Sequence, residues 1–287
     1  MPHRRDSLLY VVATPIGNLK DITLRALEIL SDVDLIVSEH VKKTRNLLRH
    51  HGIKNNVLSY REENADRAGS HVMDELRRGG SVALVAEAGT PGVSDPGRRL
   101  VSAARHEGFK VVPVPGASAV VAALSVSGMD DPRFVFEGFL PRRSGKRRKR
   151  LMELAPDSRA LVLFEAPHRL VECLNDMLAT LGDRFCLIAR EMTKMHEEIA
   201  TGRISDFVAQ FTESRPLGEF VIVCAGSSAV GPPRVTDRAR SDAEALVAKG
   251  VKKAKAARMV AKKYGCKAGE LYRMLRGEKN NEEGEIA

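Results

Sequence analysis

Short apolar runs alternate with amphipathic stretches from residue 8 to about residue 129, which predicts repeated strand–helix units. Strands are expected at 8–13, 33–38, 57–60, 82–86 and 111–114. Helices are expected at 23–30, 43–51, 65–78, 98–107 and 118–127, the first capped by Asp21 and others stopped at Gly52, Gly79 and Gly108. Helices between strands imply a mostly parallel sheet covered on both faces. From Phe134 the rhythm changes. Strands at 134–140, 161–164, 185–190, 197–201 and 219–224, with helices at 169–181 and 204–213, predict a second α/β unit rich in antiparallel pairing. The basic segment after 134–140 reads as a loop. A Gly/Ser/Pro linker at 225–233 leads into a helical tail, where Ala257, Val260, Ala261, Tyr264, Gly265, Leu271, Tyr272 and Leu275 fit a small helix-turn-helix. The expected organisation is an N-terminal α/β domain at 1–129, a C-terminal α/β domain at 130–228 and a basic helical tail at 234–287, disordered after Gly277.

Three loops follow predicted strands: Thr14-Pro15-Ile16-Gly17-Asn18, the segment from Ala88 to Gly97, and Pro115-Gly116-Ala117-Ser118-Ala119. Ligands of open α/β sheets sit outside the carboxyl ends of strands, so the three ends predict one composite pocket. Gly17, Gly89 and Gly116 allow backbone to approach a ligand closely. The chain has neither a GxxxxGK[ST] loop nor a GxGxxG turn after its first strand, which removes weight from ATP and the usual dinucleotides. Backbone amides with the hydroxyls of Thr90, Ser94 and Ser118 suit a zwitterionic or weakly polar ligand.

The net charge of +9 over 287 residues favours a polyanionic partner. Seven of the nine residues from Arg142 to Arg150 are basic: Arg142, Arg143, Lys146, Arg147, Arg148, Lys149 and Arg150. They read either as a phosphate-binding loop or as a solvated face. A second basic stretch spans 252–263. Aromatic content of 5% without Trp argues against stacking on single-stranded bases. Cys173, Cys186, Cys224 and Cys266 are widely spaced, which predicts reduced packing residues in a cytoplasmic protein, with no metal site. No apolar run reaches the length of a membrane span, and the polar N-terminus does not read as a signal peptide.

The segment Leu9-Tyr10-Val11-Val12-Ala13-Thr14-Pro15-Ile16-Gly17-Asn18-Leu19 resembles the opening of the small-subunit ribosomal RNA (cytidine-2'-O)-methyltransferases, within the tetrapyrrole methylase superfamily. Ala88 to Gly97, Val112-Pro113-Val114-Pro115-Gly116, Glu137-Gly138-Phe139-Leu140-Pro141, Pro167-His168-Arg169-Leu170 and Arg190-Glu191-Met192-Thr193-Lys194 continue the likeness over roughly 8–226. The resemblance implies a two-domain tetrapyrrole-methylase-like α/β fold with the donor cleft between the domains. It implies S-adenosyl-L-methionine as methyl donor and a homodimer. It also implies transfer to a cytidine ribose in the decoding centre of 16S ribosomal RNA. Donor contacts are then expected at Pro15, Gly17, Glu87, Ala88, Gly89, Thr90, Val93, Ser118, Ala119, Phe164, Glu165 and Met192. Glu39, Glu165, His168 and Glu191 are candidate proton acceptors, with Glu63 and Lys194 nearby in the pattern. The basic run at 142–150 is expected to hold the RNA backbone. Methylation of a tetrapyrrole, action on another RNA nucleotide, and RNA binding without catalysis are the competing readings.

The chain departs from the family pattern at three places. The usual Glu-Asp-Thr-Arg-His-Thr is Glu39-His40-Val41-Lys42-Lys43-Thr44, and Lys cannot copy the bidentate fork of Arg. The usual Tyr-His-Glu-His-Asn is Tyr60-Arg61-Glu62-Glu63-Asn64. The usual Ser-Asp before Ala-Gly-Thr-Pro is Ala86-Glu87, which keeps the carboxylate one methylene further out. Donor binding is therefore expected to survive more surely than acceptor identity.

Overall fold

The computed structural model describes residues 7–214, 216–227, 237–264, 266 and 268–276. Most of the expected linker, Gly265 and the segment after residue 276 lie outside the described residues, as do the first six.

The N-terminal half alternates β1 (Leu8–Val12), α1 (Leu24–Asp32), β2 (Leu35–Ser38), α2 (Val41–His50), β3 (Val57–Ser59), α3 (Ala65–Arg77), β4 (Val82–Val85), α4 (Arg98–His106) and β5 (Lys110–Val114). The strands form one parallel sheet in the order β3-β2-β4-β1-β5. Its central strands are continuous apolar runs because both faces are covered. Leu9, Val37 and Leu84 pack with Ala68, Val72 and Leu76 of α3 and Leu100 and Ala104 of α4. Val12, Ile36, Ala83 and Val85 turn to the other face, against Ala26 and Leu30 of α1 and Leu48 of α2. Strands β4 and β1 are neighbours whose next helices cover opposite faces. A crevice opens at their carboxyl ends for that reason.

The expected cap at Asp21 is corrected. Asp21 closes a short 3-10 turn, and Thr23 caps α1 by accepting from Ala26 N at 3.1 Å. The Thr hydroxyl stands where it meets an unsatisfied first-turn amide.

Next come α5 (Ala119–Ser125), β6 (Phe134–Phe139), α6 (Ser144–Leu154), β7 (Ala160–Glu165), α7 (Leu170–Leu181), β8 (Phe185–Arg190), β9 (Glu198–Arg203), α8 (Ile204–Glu213) and β10 (Phe220–Cys224). The second sheet runs β6-β7-β10-β8-β9. Only β6 and β7 are parallel, and the other pairs are antiparallel as expected. One face buries Leu161, Leu163, Ile188 and Phe220 under α6, α7 and α8. The other buries Val162, Leu187, Ala189, Val221 and Val223 under Val120 and Ala123 of α5. Thus α5 precedes the expected boundary at residue 129 yet packs on the second sheet.

The basic segment is also corrected. Residues 144–154 form α6 rather than a loop, because Arg147, Leu151 and Leu154 share a buried face and Lys and Arg are good helix formers. The tail forms α9 (Asp237–Ala248), α10 (Lys253–Tyr264) and α11 (Ala268–Arg276) around Ala243, Ala257, Val260, Ala261 and Leu271. The four cysteines are buried and unbridged.

Candidate functional site

The carboxyl ends of β1 and β4 are stitched together. Thr14 N donates to Gly89 O at 2.9 Å and Gly89 N to Thr14 O at 3.0 Å. Ala13 N reaches Val114 O of β5 at 3.1 Å. Gly89 has φ +71°, a left-handed conformation that disfavours any residue with a Cβ. A Cβ there would also lie 3.4 Å from Ile16 and 3.7 Å from Ala117 O, so the three Gly/Pro loops do converge.

Below them lies a cleft of about 290 Å³. Pro15, Ile16, Leu47, Ala86 and Ala88 give it an apolar wall. Lys43, Glu87, Lys194 and Glu219 give it a charged rim. The second sheet closes one side through the turn at 191–194. Asn18 N donates to Thr193 Oγ1 at 2.9 Å. A Cβ on Gly17 would sit 2.6 Å from Lys194 Cγ and 2.7 Å from Met192 O. Gly17 therefore serves close packing between the two sheets' loops, in addition to lining the cleft. Glu191 and Thr193 hold positive φ of 50° and 65°, which costs free energy at each. Hydrogen bonds secure the turn: Glu191 Oε1 accepts from Lys194 Nζ and from Glu219 N, both at 2.9 Å.

Apart from Gly89 and Glu165, the expected donor residues divide into three groups. Pro15, Gly17, Glu87 and Ala88 line the cleft. Ala119, Phe164 and Met192 meet Ile16 in the apolar cluster beneath α5, and Ser118 is the N-cap of that helix. Thr90 and Val93 continue the loop away from the cleft lining, with Val93 44% exposed and its carbonyl accepting from Arg98. The Glu165 side chain is a correction. Strand alternation turns Phe164 toward the α5 face and Glu165 toward α6 and α7. Glu165 is 2% exposed and 3.3 Å from Arg169 Nε. Its Oε2 and Arg169 Nε are buried without hydrogen-bond partners. Burial, then the carboxylate of Glu165, pushes the Cys173 thiol up. Glu165 is therefore walled off from an acceptor.

The remaining proton-acceptor candidates are also sorted by position. Glu191 is pinned by Lys194, which holds its carboxyl below the usual range and weakens it as a base. His168 is exposed on the turn Pro167–Arg169. Glu39 stands half-buried just after β2, and Glu63 is exposed. Sequence reasoning missed Asp95. Burial, then the charge of Glu39, raises its pKa to about 6. Its loop also reaches the second sheet, where a Cβ on Gly138 would lie 3.5 Å from Ser94 Oγ. The available signal was a single carboxylate inside an otherwise Gly/Pro/Ser loop beside the donor motif.

Much of the expected RNA-binding run is neutralised internally. Arg147 is 1% exposed and donates to Asp176 Oδ2 at 2.7 Å, and Arg148 donates to Asp176 Oδ1 at 2.6 Å. Burial alone would raise the Asp176 carboxyl, but its bonds to Arg148, Ser144 and Arg147 outweigh burial and lower it. Arg150 is clamped by Glu137 and Glu153. Arg147 is thus corrected from phosphate ligand to buried anchor between α6 and α7. Arg142, Arg143, Lys146 and Lys149 remain exposed.

The three departures from the family pattern prove to be neighbours. His40 Nε2 lies 2.7 Å from Glu87 Oε2, and Lys43 Nζ pairs with Glu87 Oε1. Arg61 Nε donates to Glu39 O at 3.0 Å. The longer carboxylate at position 87 thus meets the residue before α2 and the first turn of that helix, which reads as mutual accommodation at the cleft mouth.

The family model described as Tetrapyrrole (Corrin/Porphyrin) Methylases matches residues 8–208. A Synechocystis protein named ribosomal RNA small subunit methyltransferase I is 42% identical over 269 residues, covering 93% of this chain and 96% of its own. The Thermotoga maritima protein of that name is 46% identical over 219 residues, covering 76% of this chain and 98% of its own. Among solved structures, the cobalamin biosynthetic cobalt precorrin-4 methyltransferase matches with a TM-score of 0.60 at 18% identity, over 78% of this chain and 97% of its own. The Thermus thermophilus uroporphyrin-III C-methyltransferase complexed with S-adenyl homocysteine matches at 0.55 and 18%, over 75% and 96%. At such identities these structures establish the fold. The chain belongs to the tetrapyrrole (corrin/porphyrin) methylase family and, within it, to the group of proteins named ribosomal RNA small subunit methyltransferase I.

Proposed function

We propose that this protein is an S-adenosylmethionine-dependent methyltransferase acting on the ribose 2'-oxygen of a cytidine in the decoding centre of small-subunit (16S) ribosomal RNA. The observation that carries this reading is identity above 40% with the two relatives along most of the chain. The cleft supports the donor assignment. Its apolar wall suits an adenosine, and the charged pairs at its rim suit a zwitterionic amino-acid tail. Pro15, Gly17, Ala88 and Gly89 would hold that donor, with Lys43, Glu87, Lys194 and Glu219 at its charged end.

When bound, S-adenosylmethionine supplies a methyl group already activated on a cationic sulfur, so positioning of the acceptor lowers much of the barrier. Asp95 takes the 2'-hydroxyl proton on its carboxylate, which burial and then the charge of Glu39 keep basic. The proton then passes to solvent. We read the enzyme as a cytoplasmic homodimer, and the exposed apolar side chains of Val121 and Val126 at α5 support the dimer. Among the described residues no helix is long and apolar enough to cross a membrane.

The test uses methyl-labelled donor with small ribosomal subunits from a strain lacking the modification. The expected product carries label on a decoding-centre cytidine whose 3' linkage resists alkali, since the blocked 2'-oxygen cannot attack the phosphate. Label on a porphyrinogen and none on RNA would overturn the reading.

A further inference from the structure

Two open grooves flank the cleft on the outer side of α2, and neither involves the basic run at 142–150. The first, about 570 Å³, is lined by His40, Lys42, Arg45, Asn46, Arg49 and Arg61. The second, about 670 Å³, shares Arg45 and Arg49 and continues to Lys54 and Asn56. Among the described residues no acidic side chain lines either groove. Lys42, Arg45 and Arg49 stand at helical spacing on one face, while Thr44, Leu47 and Leu48 are buried on the other. Among the described residues no ion pair holds Lys42, Arg45, Arg49, Lys54 or Arg61. Arg49 meets only the Asn46 amide, and Arg61 a backbone carbonyl.

That arrangement has a folding cost. Like charges spaced as Arg45 and Arg49 repel one another along the helix face. Lys42 sits in the first turn, where the helix dipole disfavours a cation. A row of unneutralised cations around open grooves fits an extended polyanion that supplies the missing charge. Asn46 lines both the first groove and the donor cleft, so a strand lying along α2 arrives at the site of chemistry. Among the described residues no Phe, Tyr or Trp lines either groove, and the imidazole of His40 is held 2.7 Å from Glu87, so the recognised feature is phosphate.

We propose that the outer face of α2, with Lys54 and Arg61, tracks the phosphate backbone of the substrate RNA and delivers its ribose to the cleft; this rests on the ribosomal RNA reading above. The resulting affinity is independent of base sequence and sensitive to salt.

The experiment measures affinity for deproteinised small-subunit ribosomal RNA across a salt series. It compares the full-length protein, the triple variant Lys42→Gln, Arg45→Gln, Arg49→Gln, and the single variant Lys54→Glu, which lies beyond the helix. Calorimetric titration with S-adenosylmethionine accompanies each. For the triple variant the log–log salt slope is expected to fall by about 2, from three contacts at about 0.7 each. Lys54→Glu is expected to weaken RNA binding several-fold, and donor affinity stays unchanged in both. Full RNA affinity and slope in both variants would overturn the α2 surface while leaving the methyltransferase reading intact. A native protein that binds donor but neither this RNA nor small ribosomal subunits would overturn both.

Discussion

Helices α2 and α6 both display dense positive charge, yet the fold treats them in opposite ways. On α6 an acidic residue of a neighbouring element meets each of Arg147, Arg148 and Arg150. Among the described residues an acidic partner reaches only Lys43 of α2 and His40 just before it, beside the cleft, and the outward row stays open. Charge density along a sequence is therefore a poor guide to charge available for a partner. Availability is set by which carboxylates the tertiary structure brings within reach.

The largest expected effect tests the structural side of that contrast. Asp176→Ala leaves Arg147 buried without its counter-charge and is expected to cost about 3–5 kcal/mol in urea denaturation. Because the Asp176 carboxyl is lowered in the folded protein, its contribution holds at neutral pH and is lost as pH falls through the acidic range. Native-like stability of this variant would mean that α6 carries its charges for another purpose.

Gly17→Val comes next, since its side chain would collide with Met192 O and Lys194 at the cleft mouth. Donor affinity is expected to drop at least tenfold, with about 1–3 kcal/mol of stability lost to overpacking. Retained donor affinity in a folded variant would detach the cleft from the turn at 191–194.

Asp95→Asn addresses the step that neither helix performs. With a pKa near 6, Asp95 makes native activity rise with pH through that region. The variant is expected to lose most of its rate and the acidic limb of the profile. A raised pKa also means that ionised Asp95 opposes folding above that pH. At pH 8 the variant is therefore expected to be more stable, by about 1 kcal/mol after allowance for solvent screening. An unchanged pH–rate profile would remove Asp95 from the chemistry.

The smallest effect is expected from Lys146→Gln with Lys149→Gln on α6. RNA affinity near physiological salt should fall by less than about threefold, well short of the loss on α2. A larger loss than that of the α2 variant would reverse the comparison.

The parallel sheet was legible because continuous apolar runs such as Val82–Val85 have few other uses in a chain of alternating elements. The convergence of loops was legible too, since glycines 17, 89 and 116 sit where backbones must approach. What stayed hidden depends on residues distant in sequence. Arg147 is recognisable as buried only once Asp176, on another helix, is known to meet it. The wholly apolar run before Glu165 gives no polar alternate to say which face that carboxylate takes. Asp95 owes part of its raised pKa to Glu39, from another loop. The packing of α5 on the second sheet was hidden because its small apolar residues suit either domain.

The comparison is tested most directly by lysine acetylation of the native protein, with and without small-subunit ribosomal RNA, read by mass spectrometry. RNA is expected to protect Lys42 and Lys54 strongly and Lys146 and Lys149 weakly. Protection of Lys146 and Lys149, with Lys42 and Lys54 left reactive, would contradict the assignment of α2 as the RNA-tracking face.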